Sequence, residues 1–376
     1  MRNVFKFCMI FMLFGVGCKP AEKKPISDNK TVRTTKVKYA RGFIIEHYDY
    51  YTKVTVRNPW DTTQTLETYI LVPRTNKMYK KLPAGQVVKV PVKRVGLCTS
   101  IFAGQYALLG TLDKVVAVSE PQYFDIPEIQ ARIKNNTIID LGITATLNTE
   151  KVLTSKLDIL VISPFELSVN DRFASNGICV VKDASYMENS PLGRTEWIKF
   201  EAAFLNKSDK ADSLFAAVEK RYISRCKLIP KTAKRPTVFD DKKFGNSWYI
   251  AGAKSYIGQF YKDAGARYIF DDLNISGSVS LSFEKVYQRA VNADFWLFNY
   301  NNVQSDMTLD ELKRDYELYA KFAAYKNKKV YAVNSRKTPY YEKGALEPDV
   351  VLSDMIAIFH PELMPDYKPQ YYNQLP

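Results

Sequence analysis

The strongest constraint on the fold is a regular alternation of short apolar segments with segments of helical spacing, which begins at Val95 and continues almost to the C-terminus. In the first block, the apolar segments VGLCTS, VVAVSE, LDILVIS and GICVVKD have the length and composition of buried strands. From Pro236 the alternation resumes with PTVFD, ARYIFDD, DFWLFNYN and KVYAVN. Strands that alternate with helices in this way predict the α/β class with mostly parallel sheets.

One long helix is predicted between the two blocks. In KSDKADSLFAAVEKRYISRCK, Leu214, Val218 and Tyr222 repeat at helical spacing, and Ser208 is expected to be the N-cap. At 1.5 Å per residue this helix would be roughly 30 Å long, which is enough to cross between two lobes. Further helices are predicted over a charged stretch from Leu309 to Lys326 and over VVLSDMIAIF near the C-terminus.

The segment before these blocks has the pattern of β-strands. FIIEHY, YTKVTVRN, TYILVP and VVKVPV alternate with period two and are rich in β-branched residues. Asn58-Pro59-Trp60 and Pro83-Ala84-Gly85 are expected to be turns between them. These features predict a small β appendage.

The first 18 residues, MRNVFKFCMIFMLFGVGC, are typical of a secretory signal, because a short apolar run follows basic residues. The ending resembles a bacterial lipobox, with Gly15 where leucine is usual, so Cys18 is expected to carry lipid and to become the mature N-terminus. KPAEKKPISDNK would then serve as a polar tether. We expect the protein in the periplasm or cell envelope, lipid-anchored to a membrane. A plain signal peptide and an uncleaved anchor are the alternatives.

The patterns together predict six segments. They are a signal peptide at 1–18, a tether at 19–37, a β appendage at 38–92, an N-terminal α/β lobe at 93–206, an interlobe helix at 207–228 and a C-terminal α/β lobe at 235–376.

Composition and motifs favour binding over catalysis. The two histidines, His47 and His360, stand far apart, which excludes a multi-histidine zinc site and HExxH chemistry. The motifs GxGxxG, GxxxxGK[ST] and GxSxG do not occur. The net charge is +14, but the basic residues are scattered, so we expect no nucleic-acid partner. Cys98 and Cys179 lie in apolar strand-like runs and are expected in the core.

A short internal repeat occurs at matching places in the two lobes. Asn148-Thr149-Glu150-Lys151-Val152 precedes LDILVIS, and Ser282-Phe283-Glu284-Lys285-Val286 precedes ADFWLFN. A glutamate at the second helical position complements the helix dipole, so capping alone accounts for the pair as well as a shared function does.

At the level of these motifs the sequence resembles the substrate-binding proteins of ABC importers for metal chelates, a family that covers ferric siderophores, haem and cobalamin. The resemblance is carried by Cys98-Thr99-Ser100 with ALLGTLDKVVAV, by NTEKVLTSKLDILVIS, by the long helix and by SFEKVYQRAVNADFWLF. PLGRTEWIKF, DAGARYIF and EPDVVLSDMIAIFHPEL also resemble a branch of lipoproteins in this family. Residues 38–92 are not part of the core family pattern.

The resemblance implies two α/β lobes bridged by one rigid helix, with a metal chelate or corrinoid bound in the cleft between them. It implies no catalytic residues, no cofactor and no metal held by the protein alone. The implied partner is an ABC permease dimer, which Glu150 and Glu284 would meet as docking carboxylates, one from each lobe. We expect the protein to be a monomer.

Ligand-binding residues are expected in the loops that follow the strands, because ligands of open α/β sheets bind beyond the carboxyl ends of the strands. Aromatic rings recur in these loops and suit flat, conjugated or catecholate ligands, and an arginine there suits an anionic chelate. We expect the aromatic group of Trp248, Tyr249 and Tyr256 to dominate affinity. The predicted ligand-binding residues are Thr99, Ser100, Phe102, Tyr123, Phe165, Tyr186, Trp248, Tyr249, Ser255, Tyr256, Tyr300, Arg336 and Tyr340.

Two further interpretations concern local carboxylates. In ENSPLGRTEW, a turn leads into a helix, and Arg194 is expected to pair with Glu188 or Glu196 at the edge of the cleft. Adjacent acids, Asp271 with Asp272 or Asp240 with Asp241, suggest a periplasmic α/β enzyme, but neighbouring side chains of a strand point to opposite faces and would not cooperate easily. An assembly or adhesion lipoprotein that uses the β appendage is the third class of function.

Overall fold

The computed structural model describes residues 32–75, 82–165, 173 and 175–376. The predicted signal peptide at 1–18, with Cys18, and residues 19–31 of the predicted tether lie outside this part of the chain. No helix within the described ranges is long and apolar enough to cross a membrane.

The first lobe is built on a parallel sheet with β6 in the middle. In spatial order its strands are β10 (Cys179–Lys182), β9 (Ile159–Ile162), β6 (Val95–Leu97), β7 (Val115–Val118) and β8 (Ile139–Asp140). Its helices are α1 (Ser100–Leu109), α2 (Pro127–Lys134), α3 (Thr149–Thr154), α4 (Pro191–Glu196) and α5 (Ile198–Leu205). Cys98 and Cys179 are buried, as predicted. The strand order reverses at β6, which leaves a crevice at the carboxyl ends of β6 and β9.

The N-terminal strands form a separate sheet, called here the N-terminal sheet. Its strands in spatial order are β1 (Arg33–Thr34), β2 (Phe43–His47), β3 (Thr52–Arg57), β4 (Thr65–Pro73) and β5 (Gln86–Val90). Four of them are antiparallel neighbours, and β5 pairs parallel to β4. Strand β1 lies inside the predicted tether at 19–37, because Arg33 pairs with His47 across the sheet. The sheet therefore begins before the alternating pattern does.

The N-terminal sheet packs directly on the first lobe. The hydroxyl of the buried Tyr69 donates to the carbonyl of Val180 at 3.1 Å and accepts from the amide of Lys182 at 2.8 Å, both on β10. The ring of Phe43 lies edge-on to Trp197 with 5.0 Å between centroids. The sheet predicted as an appendage thus shares one apolar core with the first lobe.

Helix α6 (Ser208–Cys226) joins the two lobes. Its buried residues form one stripe at Ala211, Phe215, Val218 and Tyr222. Val218 and Tyr222 are buried as predicted, whereas Leu214 is only half-buried at the side of the stripe. The Lys199 ammonium of the first lobe lies over the ring of Phe215, 4.9 Å from the ring centroid. At the other end, the Tyr222 hydroxyl donates to Asp263 of the second lobe at 2.8 Å. The predicted N-cap was wrong by one residue, because Ser208 is already helical and Lys207 occupies the cap position.

The second lobe is also built on a five-stranded, mostly parallel sheet, but with a different strand order. Its main sheet has the order β14 (Arg267–Tyr268), β11 (Thr237–Asp240), β16 (Phe295–Tyr300), β17 (Val330–Asn334) and β18 (Asn373–Gln374), of which only β18 is antiparallel. A smaller antiparallel sheet contains β12 (Lys243–Phe244), β13 (Ser247–Ala251) and β15 (Ser278–Leu281). The helices are α7 (Tyr256–Asp263), α8 (Phe283–Ala290), α9 (Leu309–Asp315), α10 (Ala323–Lys326), α11 (Tyr340–Lys343) and α12 (Pro348–Phe359).

The charged helix predicted from Leu309 to Lys326 is broken in the structure. Helix α9 ends at Asp315, and a 3₁₀ turn over Glu317–Lys321 separates it from α10. Tyr319 and Phe322 are buried against Trp296, with ring centroids 5.1 and 5.4 Å away. The backbone is extended at Tyr316 and again at Phe322, and these two residues separate the three helical pieces.

Candidate functional site

A continuous cleft lies between the lobes at the carboxyl ends of the parallel strands. It has a central cavity of about 350 Å³, a wide cavity of about 740 Å³ and a narrow cavity of about 260 Å³. The central and wide cavities share Phe165, Tyr186, Tyr256 and Asn299. The central and narrow cavities share Thr99, Glu120 and Tyr341, among others. The three cavities are therefore parts of one cleft.

The central cavity contains an arginine stacked on a tyrosine. The guanidinium of Arg194, from α4, lies 4.4 Å from the ring centroid of Tyr256, the first residue of α7. Arg194 Nε and Asn299 Oδ1 are buried and have no hydrogen-bond partner within the described structure. A donor with positive charge and an amide acceptor therefore line the same cavity and are available to a ligand.

Aromatic side chains surround this polar centre. The rings of Phe165 and Tyr186 pack edge to face with 5.6 Å between centroids, and those of Tyr340 and Tyr341 do so with 5.8 Å. Burial raises the pKa of the Tyr341 hydroxyl, so that this group is neutral at physiological pH. The first pair comes from the first lobe and the second pair from the second lobe, so a flat ligand can be buried on both sides.

The wide cavity is lined by two adjacent carboxylates. Asp240 is buried and accepts a hydrogen bond from the Tyr268 hydroxyl at 2.6 Å. Burial, followed by repulsion from Asp241, raises the pKa of Asp240 well above its ordinary value. Burial also raises the pKa of Asp241 to about 6.

The expectation that Asp240 and Asp241 face opposite sides was wrong. Strand β11 ends at Asp240, and Asp241 has a φ of 59°, in the left-handed region. The alternation of a strand does not extend through such a residue, so both side chains line one cavity.

The narrow cavity contains a second arginine from the second lobe. The Arg336 guanidinium donates to the carbonyl of Gln122 and lies 5.7 Å from the ring centroid of Tyr123, both in the first lobe. Arg336 therefore connects the lobes at this end of the cleft, besides placing a positive charge in the cavity.

Comparison with known proteins places this architecture in a family. A family model described as periplasmic binding protein matches residues 100–337. The chain belongs to the periplasmic binding protein family. An uncharacterized lipoprotein of Methanocaldococcus jannaschii is 30% identical over 305 residues, which cover 76% of this chain and 70% of the relative. The family is one of substrate-binding transport proteins, so the predicted family is confirmed.

Solved structures confirm the fold. A periplasmic haem-binding protein from Pseudomonas aeruginosa has a TM-score of 0.58 at 17% identity, covering 76% of this chain and 98% of that one. CeuE from Helicobacter pylori with Ni(II) bound has a TM-score of 0.58 at 19% identity, and the match covers 77% of this chain and 91% of that one. An ABC-type Fe3+-hydroxamate transport system from Saccharomonospora viridis has a TM-score of 0.54 at 17% identity, and the match covers 72% of this chain and 94% of that one. The predicted α/β class with two lobes and additional N-terminal strands is therefore confirmed.

The cleft of this periplasmic binding protein brings together nine of the predicted ligand-binding residues. Those that line its cavities are Thr99, Ser100, Tyr123, Phe165, Tyr186, Ser255, Tyr256, Arg336 and Tyr340. Each lies just beyond a strand or in the first turns of the helix that follows, where the topology places a binding site.

Four predicted residues do not line these cavities. Trp248 is fully buried in the aromatic core and donates through Nε1 to the carbonyl of Asp240 at 3.0 Å. Its neighbour Tyr249 points to the opposite face of β13 and is 49% exposed. Phe102 belongs to α1, and its side chain is packed in the core. The Tyr300 hydroxyl accepts from the amide of Met307 at 2.9 Å and so fastens a loop. The expected group of Trp248, Tyr249 and Tyr256 is thus reduced to Tyr256.

The expected ion pair of Arg194 with Glu188 or Glu196 does not form. Both carboxylates instead accept hydrogen bonds from the backbone just before β2. Glu196 accepts from the amides of residues 38–40 at 2.7 to 3.0 Å, and Glu188 accepts from those of residues 41 and 42 at 2.9 to 3.0 Å. This leaves Arg194 to face the cleft.

Three contributors to the cleft were predicted with a different role. Arg194 was expected in an ion pair at the edge of the cleft, Asp241 was expected to face away from Asp240, and Trp60 was assigned only to a turn. A positive φ at Asp241 has no reliable sequence signal, since aspartate is tolerated but not required there. Among the described residues, no group of three His, Cys, Asp or Glu side chains is placed to hold a metal ion.

The two glutamates of the internal repeat are exposed at the starts of α3 and α8. Asn148 caps the helix of Glu150 by accepting from the amide of Lys151 at 3.0 Å. Ser282 caps the helix of Glu284 in the same way, at 3.5 Å from the amide of Lys285. Hydrogen bonds from the helix N-terminus and from Ser282 lower the pKa of Glu284, so it is ionised at neutral pH.

Proposed function

We propose that this periplasmic binding protein captures a metal chelate in the interlobe cleft and delivers it to an ABC permease. The chelate is an iron siderophore, haem or a corrinoid such as cobalamin. The observation that carries the proposal is the central cavity, in which aromatic rings of both lobes surround Arg194. Aromatic faces bury flat conjugated ligands, and an unpaired guanidinium suits the carboxylates or catecholates of such ligands.

Direct binding measurements test this proposal. Purified protein is titrated by calorimetry with haemin, a ferric tris-catecholate and cyanocobalamin, and the visible spectrum of protein from the native host is recorded. We expect one of the three to bind with micromolar affinity or better and the native protein to show its bands. A colourless native protein that binds none of them would contradict the proposal.

We extend the proposal to the membrane anchor. Because relatives of this chain are lipoproteins, we infer that Cys18 carries the lipid. Cys18→Ser should then move the protein from the membrane fraction to the soluble fraction after cell lysis. A variant that stays with the membrane would argue against this site.

We further propose that Glu150 and Glu284 are the docking carboxylates, one on each lobe. The support is that both are exposed at the starts of equivalent helices. The double variant Glu150→Ala/Glu284→Ala should lower uptake of the chelate by cells while its affinity and melting temperature stay unchanged, because exposed charges guide a partner more than they stabilise a fold.

The matched control for docking lies on the same two helices. Lys151→Ala/Lys285→Ala removes exposed charge next to each glutamate and should retain wild-type uptake. If the glutamate double variant also retains wild-type uptake, the glutamates act only as helix-stabilising residues.

A further inference from the structure

The N-terminal sheet reaches the binding cleft through one hairpin. Pro59 and Trp60, in the turn between β3 and β4, line the wide cavity together with Tyr186 of the first lobe and Asp241 of the second. The turn therefore forms part of the cavity wall, although it belongs to neither lobe.

The hairpin is held in place by its own hydrogen bonds. Asn58 Oδ1 accepts from the amide of Trp60 at 3.0 Å. Asp61 accepts from the Thr63 hydroxyl at 2.6 Å and from the Gln64 side chain at 2.7 Å. Below the hairpin, the sheet is joined to the first lobe by Tyr69 and by the carboxylates of Glu188 and Glu196. The backbone of the turn that carries Trp60 is thus held by these hydrogen bonds before any ligand binds.

Trp60 differs from the other three tryptophans of the chain. Trp197, Trp248 and Trp296 are fully buried, and each donates through Nε1 to another part of the protein at 2.7 to 3.0 Å. Trp60 is 52% exposed at the edge of a cavity. A large, partly exposed aromatic ring on a rigid turn is a typical contact residue for a ligand.

We propose that Trp60 contacts the bound ligand, so that the N-terminal sheet forms a third wall of the binding cleft beside the two lobes. This inference rests on the proposed capture of a chelate in the cleft. The ligand group that Trp60 covers is flat and conjugated, and it carries no negative charge, because the Asp241 carboxylate lines the same cavity. With a pKa of about 6, Asp241 is largely ionised at neutral pH. The anionic groups of the ligand are then directed toward Arg194 in the central cavity.

The test compares Trp60→Ala, Trp60→Phe and Tyr249→Ala with wild type by calorimetry, using haemin, a ferric tris-catecholate and cyanocobalamin. Trp60→Ala should lower the affinity for the probe that binds wild type by about 10-fold or more. Trp60→Phe keeps an aromatic face, so its affinity should stay within about 3-fold of wild type. Tyr249→Ala is the matched control, because Tyr249 is similarly exposed but lines none of the three cavities. Circular dichroism and melting curves show whether each variant is folded.

A second readout does not depend on affinity. Since Trp60 is the one exposed tryptophan, acrylamide quenching of tryptophan fluorescence reports its accessibility. The probe bound by wild type should reduce this quenching, and Trp60→Phe should abolish the reduction. Wild-type affinity in Trp60→Ala, or quenching that the bound probe leaves unchanged, would overturn the role of Trp60 and leave the proposed function intact. Failure of wild type to bind all three probes would overturn the proposed function and this inference with it.

Discussion

Glu196→Ala should lower the free energy of unfolding by about 3 kcal/mol, because it removes a fully buried carboxylate that several groups share. Glu196 accepts from the amides of Lys38, Tyr39 and Ala40 and forms an ion pair with Lys199 at 3.1 Å. Alanine would leave the three backbone amides without their acceptor, whereas Lys199 would keep its contacts with Asp212 and with the carbonyl of Lys36. Urea denaturation followed by circular dichroism measures the change.

Two further variants show whether the loss comes from these hydrogen bonds. Glu196→Gln retains one acceptor oxygen and should lose less stability than the alanine variant, while the exposed Glu150→Ala should lose almost none. Amide hydrogen exchange should become faster at residues 38–40 in Glu196→Ala, since these amides lose their acceptor, and should change less at residues 41 and 42, which Glu188 still holds. A loss below about 1 kcal/mol would mean that water replaces the carboxylate at little cost.

Tyr256→Ala should weaken ligand binding by about 30-fold, equivalent to about 2 kcal/mol. Tyr256 lines both the central and the wide cavity, and its ring stacks under the guanidinium of Arg194, 4.4 Å from the ring centroid. Truncation therefore removes one ligand surface and also the aromatic face that orients the arginine. Calorimetry with the probe that binds wild type measures the effect.

The conservative variant separates the ring from the hydroxyl. Tyr256→Phe retains the aromatic face and should bind within about 3-fold of wild type if stacking is the main contribution. A large loss in the phenylalanine variant would instead assign the affinity to the hydroxyl, including contact with the metal of the chelate. Unchanged affinity in Tyr256→Ala would remove the central cavity from the binding site.

The position of the cleft could be predicted from the sequence because parallel strands place their carboxyl ends together. Thr99 follows β6, Tyr186 follows β10 and Arg336 follows β17, and all three line the cleft. Within a strand, the same argument was insufficient. Trp248 and Tyr249 are neighbours on β13, and only tertiary packing decides that Trp248 is buried in the core and Tyr249 is exposed.

By itself, the sequence determined the features that depend on neighbours along the chain. The alternation of strands and helices defined the two lobes, and the helical spacing of Leu214, Val218 and Tyr222 defined the helix between them. Only the tertiary structure decided that Glu196 holds residues 38–40, that Arg194 faces the cleft and that Trp60 reaches it. The reason is physical: periodicity encodes which face of an element is buried, whereas a contact between residues more than a hundred positions apart depends on how whole elements pack.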